Sequence, residues 1–394
     1  MIAGLEGRRK RVCVVTGSRA DFGLLAPVMW AVQKDDDLDL CVLAVGSHFL
    51  GSHGKTIIEV EESGLHIDER IAVEYDDSAV GISVAIGETV IEATTALARL
   101  EPDIVVILGD RYEILAVALA ATVLRLPIAH IAGGDVTLGA YDEGFRHAMT
   151  KLSHVHFTTN SDSTTRVLQL GEEPWRVHEV GSPGVDALLD ARLLTKEQLE
   201  FKLSWRFHLR NLLVTFHPVT LQPATGLEQA QELVSALEKL DDDCGVVITG
   251  TNADSEGAEI DAVLQDYCAR NPNNAVYVTS LGSLGYLSLL AQVDAVVGNS
   301  SSGLYEAPSL STPTVDIGVR QMGRPRARSV IHCDAHAESI SEGINAALSL
   351  GRMNVVNPYG DGRATERIIS ALRSLPERNR LLLKAFISYQ KVDK

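Results

Sequence analysis

Short runs of β-branched and other apolar residues alternate with longer stretches of helical period from one end of the chain to the other. In the first half the runs are Val12–Val15, Leu40–Val45, Ile104–Leu108, Ile128–Ile131, Val155–Phe157 and Val177–Val180. Phe22–Gln33, Ser83–Leu100 and Arg111–Leu124 carry the helical spacing between them. Runs that are apolar without alternation suit strands covered on both faces, and their regular alternation with helices predicts a parallel, doubly wound sheet. A polar, charged stretch near 188–208, including Thr195–Glu200, interrupts the rhythm. The pattern then restarts with strands at Leu212–Phe216, Gly245–Thr249, Ala275–Val278, Ala295–Val297 and Thr314–Ile317, and helices such as Leu227–Leu240 and Glu256–Arg270. The expectation is an α/β protein of two doubly wound, Rossmann-like lobes facing a central cleft. The lobes are predicted at 8–187 and 188–364, with a C-terminal helix in 365–394 returning to the first.

The length of 394 residues suits two domains. No uninterrupted apolar run reaches the ~18 residues of a membrane span, and the basic N-terminal stretch leads into a strand rather than a signal-peptide core. A cytoplasmic protein with no membrane partner is expected. The net charge of −17 disfavours nucleic acid as a partner, and any anionic ligand must be met by local cations and backbone N–H groups. The five scattered cysteines contain no C-x-x-C pair and are read as reduced thiols.

In open sheets of this type ligands bind beyond the carboxyl ends of the strands, so the polar groups that follow each strand are the candidates. Gly17, Ser18 and Arg19 follow the first, at the start of a helix whose N–H groups attract anions. They do not form G-x-G-x-x-G, so the dinucleotide fingerprint is absent. Asp110 and Arg111 follow Ile104–Leu108, and Asp135 follows Ile128–Ile131. Asp142 and Arg146 lie four apart on one helix face. Three carboxylates near strand ends suit proton transfer, because crowding separates acid and base roles. In the second half the candidates are His217, Asn252, and the stretch Gly298-Asn299-Ser300-Ser301-Ser302-Gly303, where a glycine and three hydroxyls open a helix. Glu306, one turn on, is placed to accept from ribose hydroxyls. A serine N-cap with a Glu in a capping-box position is the plainer alternative. Arg320, Arg324, Arg326 and Arg328 follow the last strand. His154 and His156 share a strand face, but no third ligand sits at a diagnostic spacing, so no metal is expected.

Gly109-Asp110-Arg111, His130–Asp135, Arg146–Ser153, His217-Pro218, Asn252-Ala253-Asp254, Gly298–Gly303, Gly318-Val319-Arg320-Gln321 and Tyr359–Gly362 together resemble the hydrolysing UDP-N-acetylglucosamine 2-epimerases. The resemblance runs in unbroken order over roughly residues 10–375. It implies a glycosyltransferase-B-type architecture and a UDP-sugar substrate, with no cofactor and a homodimer or homotetramer. It also implies elimination of UDP across C1–C2, followed by hydration of the glycal to the free 2-epimer, on a route to sialic or legionaminic acids. Asp110, Asp142 and Arg146 match family active-site positions, and Asp135 a second acidic position. Arg19, His217, Asn252, Ser300, Ser301, Glu306 and Arg320 match UDP-binding positions, and Arg111 one near the sugar. Several sialic-acid-pathway members carry Glu where this chain has Ala132. That difference, with the extra length at Thr137-Leu138-Gly139, suggests the branch acting on UDP-N,N'-diacetylbacillosamine. A non-hydrolysing 2-epimerase and a glycosyltransferase of the same architecture are the alternatives.

Overall fold

The computed structural model describes residues 8–49, 56–75, 78–137, 141–218, 225–251 and 257–388. The chain divides into two compact units. Unit 1 holds Met1–Asp135, Asp142–Ala187 and Tyr359–Lys394, and unit 2 holds Val136–Tyr141 and Leu188–Pro358.

Unit 1 begins β1 (Lys10–Thr16), α1 (Arg19–Gln33), β2 (Leu38–Ala44), α2 (Ile57–Glu62), β3 (Glu69–Arg70) and α3 (Ala79–Leu100). It continues with β4 (Ile104–Leu108), α4 (Tyr112–Val123), β5 (Ile128–Ile131), α5 (Asp142–Leu152) and β6 (Val155–Thr158). The elements α6 (Ser161–Gln169), β7 (Val177–Glu179) and α7 (Pro183–Asp190) lead out of it. All pairings are parallel, in the order β3-β2-β1-β4-β5-β6-β7. Successive residues of each strand feed different cores. Val12 and Val14 pack with Leu25, Met29 and Ile368 on one face, whereas Cys13 and Val15 pack with Leu97 and Val117 on the other. This double burial is why the strands read as unbroken apolar runs.

Unit 2 contains α8 (Lys196–Leu203), β8 (Arg210–Thr215), α9 (Gly226–Leu237), β9 (Cys244–Thr249), α10 (Gly257–Arg270) and β10 (Ala275–Val278). After these come α11 (Gly282–Gln292), β11 (Ala295–Gly298), α12 (Ser302–Tyr305), β12 (Thr314–Ile317), β13 (Val330–Cys333) and α13 (Ala337–Leu350). Its sheet repeats the plan, in the order β10-β9-β8-β11-β12-β13. The helices α14 (Ala364–Ser374) and α15 (Arg378–Leu382) belong to unit 1.

Three expectations need correcting. The polar stretch at 195–200 is not irregular: it is α8, opened by a capping box in which Thr195 and Gln198 serve each other's backbone N–H. The return to unit 1 begins at Tyr359 rather than 365, because the buried Tyr359 accepts at its carbonyl from Ser182 N–H (2.7 Å). The helix after β11 is a single turn, Ser302–Tyr305, so it carries little macrodipole. Cys13, Cys41, Cys244 and Cys268 are buried free thiols and Cys333 is a half-buried one.

Candidate functional site

In each sheet the strand order reverses at one point, between β1 and β4 in unit 1 and between β8 and β11 in unit 2. The loops leaving those strands diverge there and open a crevice. The candidate residues cluster at both points.

In unit 1, Arg146 is the hub. It projects from α5, is almost wholly buried, and is ion-paired to Asp110, whose carboxylate follows β4. Its other terminal nitrogen donates to Glu143 (2.6 Å) and to the backbone carbonyl of Asp135 (2.6 Å). Glu143 also meets His147 (3.3 Å). The arrangement therefore joins Asp110, after β4, to Glu143 and Arg146 on the first turns of α5, which Asp142 opens. Glu143 was not singled out from the sequence, although its i,i+3 spacing to Arg146 is a readable signal.

Asp135 comes to this cluster through its backbone. Its carboxylate is buried against the start of α6, where Oδ1 accepts from Thr159 (2.5 Å), just before the helix, and from Ser163 (2.7 Å) within it. His130 ties the cluster together from below. Burial pushes its imidazole down to about 4, so the ring is neutral. Nε2 donates to the Gly109 carbonyl (2.8 Å), and Nδ1 lies 3.2 Å from the Thr150 hydroxyl on α5. Ala132 holds a positive φ of 63°, uncommon for a residue with a side chain, and its methyl packs against the core of unit 1.

The anion site expected after β1 is partly filled from within. Ser18 caps α1, and Asp21 accepts from Gly17 N–H (2.8 Å), Ser18 N–H (2.8 Å) and the Thr16 hydroxyl (3.0 Å). An internal carboxylate thus occupies donors that a phosphate would use. Arg19 reaches Glu59 (3.0 Å) in a half-exposed pair, which costs little to break. Arg111 lies against Glu113 (2.6 Å).

In unit 2 the hub is Asn299, directly after β11. Its amide brackets the backbone of His217, accepting from the N–H (2.7 Å) and donating to the carbonyl (2.7 Å). Its own carbonyl receives Arg320 (3.1 Å) and Gln321 (2.7 Å). The preceding Gly298 has φ of 140°, and a Cβ there would overlap the Thr215 carbonyl, so only glycine lets β11 approach β8 this closely. Burial, reinforced by Arg320, pushes His217 down to about 3. His217 is therefore neutral, and the positive charge beside it belongs to Arg320.

The Ser302 hydroxyl is taken by Tyr286 (2.5 Å) and lies 3.2 Å from that of Ser300. Ser301 stands at the N-cap of α12, yet its side chain makes no cap bond, which weighs against the plain capping reading. Burial raises the Glu306 carboxyl to about 7, against its own backbone N–H and Arg324. Asn252 lies outside the described residues. The two histidines of H-x-H have structural partners. His154 Nδ1 accepts from Ile128 N–H (3.2 Å), and His156 Nε2 meets the buried Glu172 (3.0 Å).

The family model for UDP-N-acetylglucosamine 2-epimerase matches residues 30–373. The chain belongs to this family. Among its relatives is the GDP/UDP-N,N'-diacetylbacillosamine 2-epimerase (hydrolyzing) of Campylobacter jejuni, 36% identical over 324 residues, 82% of this chain and 84% of that one. The UDP-N,N'-diacetylbacillosamine 2-epimerase (hydrolyzing) of Legionella pneumophila is 31% identical over 376 residues, 95% of this chain and 98% of that one. The crystal structure of UDP-GlcNAc 2-epimerase from Neisseria meningitidis bound to UDP-GlcNAc matches with a TM-score of 0.78, covering 92% of this chain and 99% of that one. At 20% identity that match speaks to the fold of this epimerase-family chain.

Proposed function

We propose that this chain is a hydrolysing 2-epimerase of a UDP-linked 2-acetamido sugar, with UDP-N,N'-diacetylbacillosamine as substrate. The observation that carries the reading is the division of chemistry between the two switch points. Unit 1 presents Asp110 and Glu143 on a shared Arg146. Unit 2 presents Arg320, His217 and, after β11, the hydroxyl of Ser301, which makes no cap bond. The activity for which the Campylobacter jejuni and Legionella pneumophila relatives are named supports the hydrolytic outcome and the substrate.

In this scheme a carboxylate of unit 1 removes the C2 proton, which is weakly acidic and needs a positioned base. The C1–O bond breaks as the C1–C2 double bond forms, and UDP leaves with its charge stabilised by Arg320 and the hydrogen-bond donors of unit 2. Water then adds across the double bond, with hydroxyl at C1 and a proton at C2 from the opposite face. Asp110 is assigned as the principal proton-transfer group, with Arg146 as its partner and Asp142 and Glu143 in support. Asp135 is assigned a positioning role through its carbonyl. Incubation in D2O with UDP-N,N'-diacetylbacillosamine and, separately, UDP-GlcNAc tests the scheme. Free 2-epimer carrying deuterium at C2, plus UDP, is expected. A UDP-linked epimer with no free sugar would instead identify a non-hydrolysing enzyme.

The raised Glu306 carboxyl makes binding pH-dependent. The ionised form, present above about pH 7, accepts two ribose hydroxyls better than the neutral acid. UDP-sugar affinity should therefore weaken by up to about tenfold as pH falls from 8 to 6. In Glu306→Gln the dependence should flatten at weak affinity. Calorimetric titration at both pH values reads it directly.

We assign the protein to the cytoplasm as a homodimer that associates through α3. Among the described residues α3 is the one helix long and apolar enough to cross a membrane by length and composition alone. One of its faces packs on α4, but Val80 (74% exposed), Val84 (53%) and Ile91 (66%) form an apolar stripe facing solvent. Such stripes mark association surfaces. Ile91→Glu should halve the mass measured by light scattering, whereas an unchanged mass would move the interface elsewhere.

A further inference from the structure

Arg111 meets Glu113 through Nε alone, as Arg19 meets Glu59 and Arg176 meets Glu173, but among these carboxylates Glu113 is the one with almost no exposure, and three other pairs of unit 1 are doubly bonded. Arg99 holds Glu69 by two bonds (2.8 and 2.9 Å), Arg367 holds Asp361 by two (2.8 and 2.8 Å), and Arg363 holds Glu366 by two (2.9 and 2.9 Å). All three pairs lie at the surface. Glu113 is only 1% exposed, so it has the greater need of a second bond, yet it receives Arg111 through Nε alone (2.6 Å). Its other oxygen, Oε2, is buried without a partner. A buried carboxylate oxygen left unpaired is costly, so something must hold the pair in this form.

Two loops hold it. The turn after β1 and the turn after β2 cross directly over the Glu113 side chain. A Cβ at Gly17 would come within 2.9 Å of Glu113 Cγ, and one at Gly46, whose φ is 63°, within 2.7 Å. Glu113 is thus wedged, and it meets Arg111 at the inner edge of the guanidinium. Both Nη groups of Arg111 are left with no hydrogen-bond partner among the described residues, on a side chain 40% exposed. The planar fork is therefore kept for an acceptor outside the protein.

The surrounding charge says which acceptor. Glu113 neutralises Arg111, and the Asp21 carboxylate also acts on both. A phosphate at the fork would meet two carboxylates, whereas a neutral amide carbonyl would meet no net repulsion. We infer that Glu113 is a positioning residue that holds the Arg111 fork open for an acetamido carbonyl of the sugar. The inference rests on the UDP-sugar reading above.

The test is calorimetry of the full-length protein with UDP-N,N'-diacetylbacillosamine, UDP-GlcNAc and UDP. Glu113→Leu should weaken sugar binding by about 10- to 100-fold and leave UDP within about twofold. Glu113→Gln keeps an acceptor for Nε and should recover most of the loss. Gly17→Ala, which retains the carboxylate but crowds it, should shift affinity in the same direction as Glu113→Leu. Loss with both sugars assigns the fork to the C2 acetamido group, and loss with the bacillosamine sugar alone to the C4 group. Unchanged sugar affinity in Glu113→Leu and Gly17→Ala overturns the inference, as does an equal loss for UDP. Binding needs no turnover, so a wild-type protein that binds both sugars but releases no free 2-epimer would sink the epimerase reading and leave this one standing.

Discussion

Asp110→Asn is expected to lower kcat by about 10²- to 10⁴-fold, the usual worth of a positioned general base, while UDP-sugar affinity stays within about threefold. Asparagine keeps the shape of the side chain and removes its basicity. Asp110 is a quarter exposed and pairs with a guanidinium that is only 4% exposed, so it combines access with fixed placement. Arg146 would not be stranded by the change, because Glu143 and the Asp135 carbonyl still accept from it. The fold should therefore persist, and the loss should fall on kcat. A double variant with Arg146→Met should cost little beyond Arg146→Met alone, since the two residues act as a unit. Rapid-quench measurement of UDP release checks both variants. Wild-type rates in Asp110→Asn would remove that carboxylate from the chemistry.

The same cluster shows what could be read from the sequence. Strands with both faces covered announce themselves, and the residues that follow them are candidates by topology alone. Asp110 stands out on those grounds, and Arg146, which pairs with it, by its helix spacing to Asp142. β13 does not stand out, because it is an edge strand of half-exposed residues with no apolar run. α8 was missed because its polar residues mask the period, although Thr195 and Gln198 carried its start signal. Other features depend on pairings that no local pattern encodes. The filling of the first anion site by Asp21, the single bond between Arg111 and Glu113, and the burial of the Asp135 carboxylate all needed side-chain placement. Asn299 and His217, 82 positions apart, meet only because β8 and β11 are neighbours.

That last pairing carries the second large effect. Asn299 is 1% exposed and makes both bonds to the His217 backbone, so Asn299→Ala leaves a buried N–H and a buried carbonyl unpaired. At about 1–3 kcal/mol for each stranded group, unfolding free energy should fall by about 2–5 kcal/mol. The His217–Pro218 turn and the Arg320–Gln321 loop would also lose their common reference, because the Asn299 carbonyl that receives Arg320 and Gln321 is held by the same residue. UDP affinity should drop alongside, by about 10-fold or more for one displaced charge-assisted contact. Asn299→Asp sharpens the argument. It keeps the acceptor for His217 N–H but turns a second oxygen toward the His217 carbonyl, where a donor is required. It should therefore be no better than alanine, whereas a mere volume requirement would predict full rescue. Urea unfolding with UDP titration on the three proteins separates the two accounts, and wild-type behaviour of Asn299→Asp would show that the amide is not the clamp.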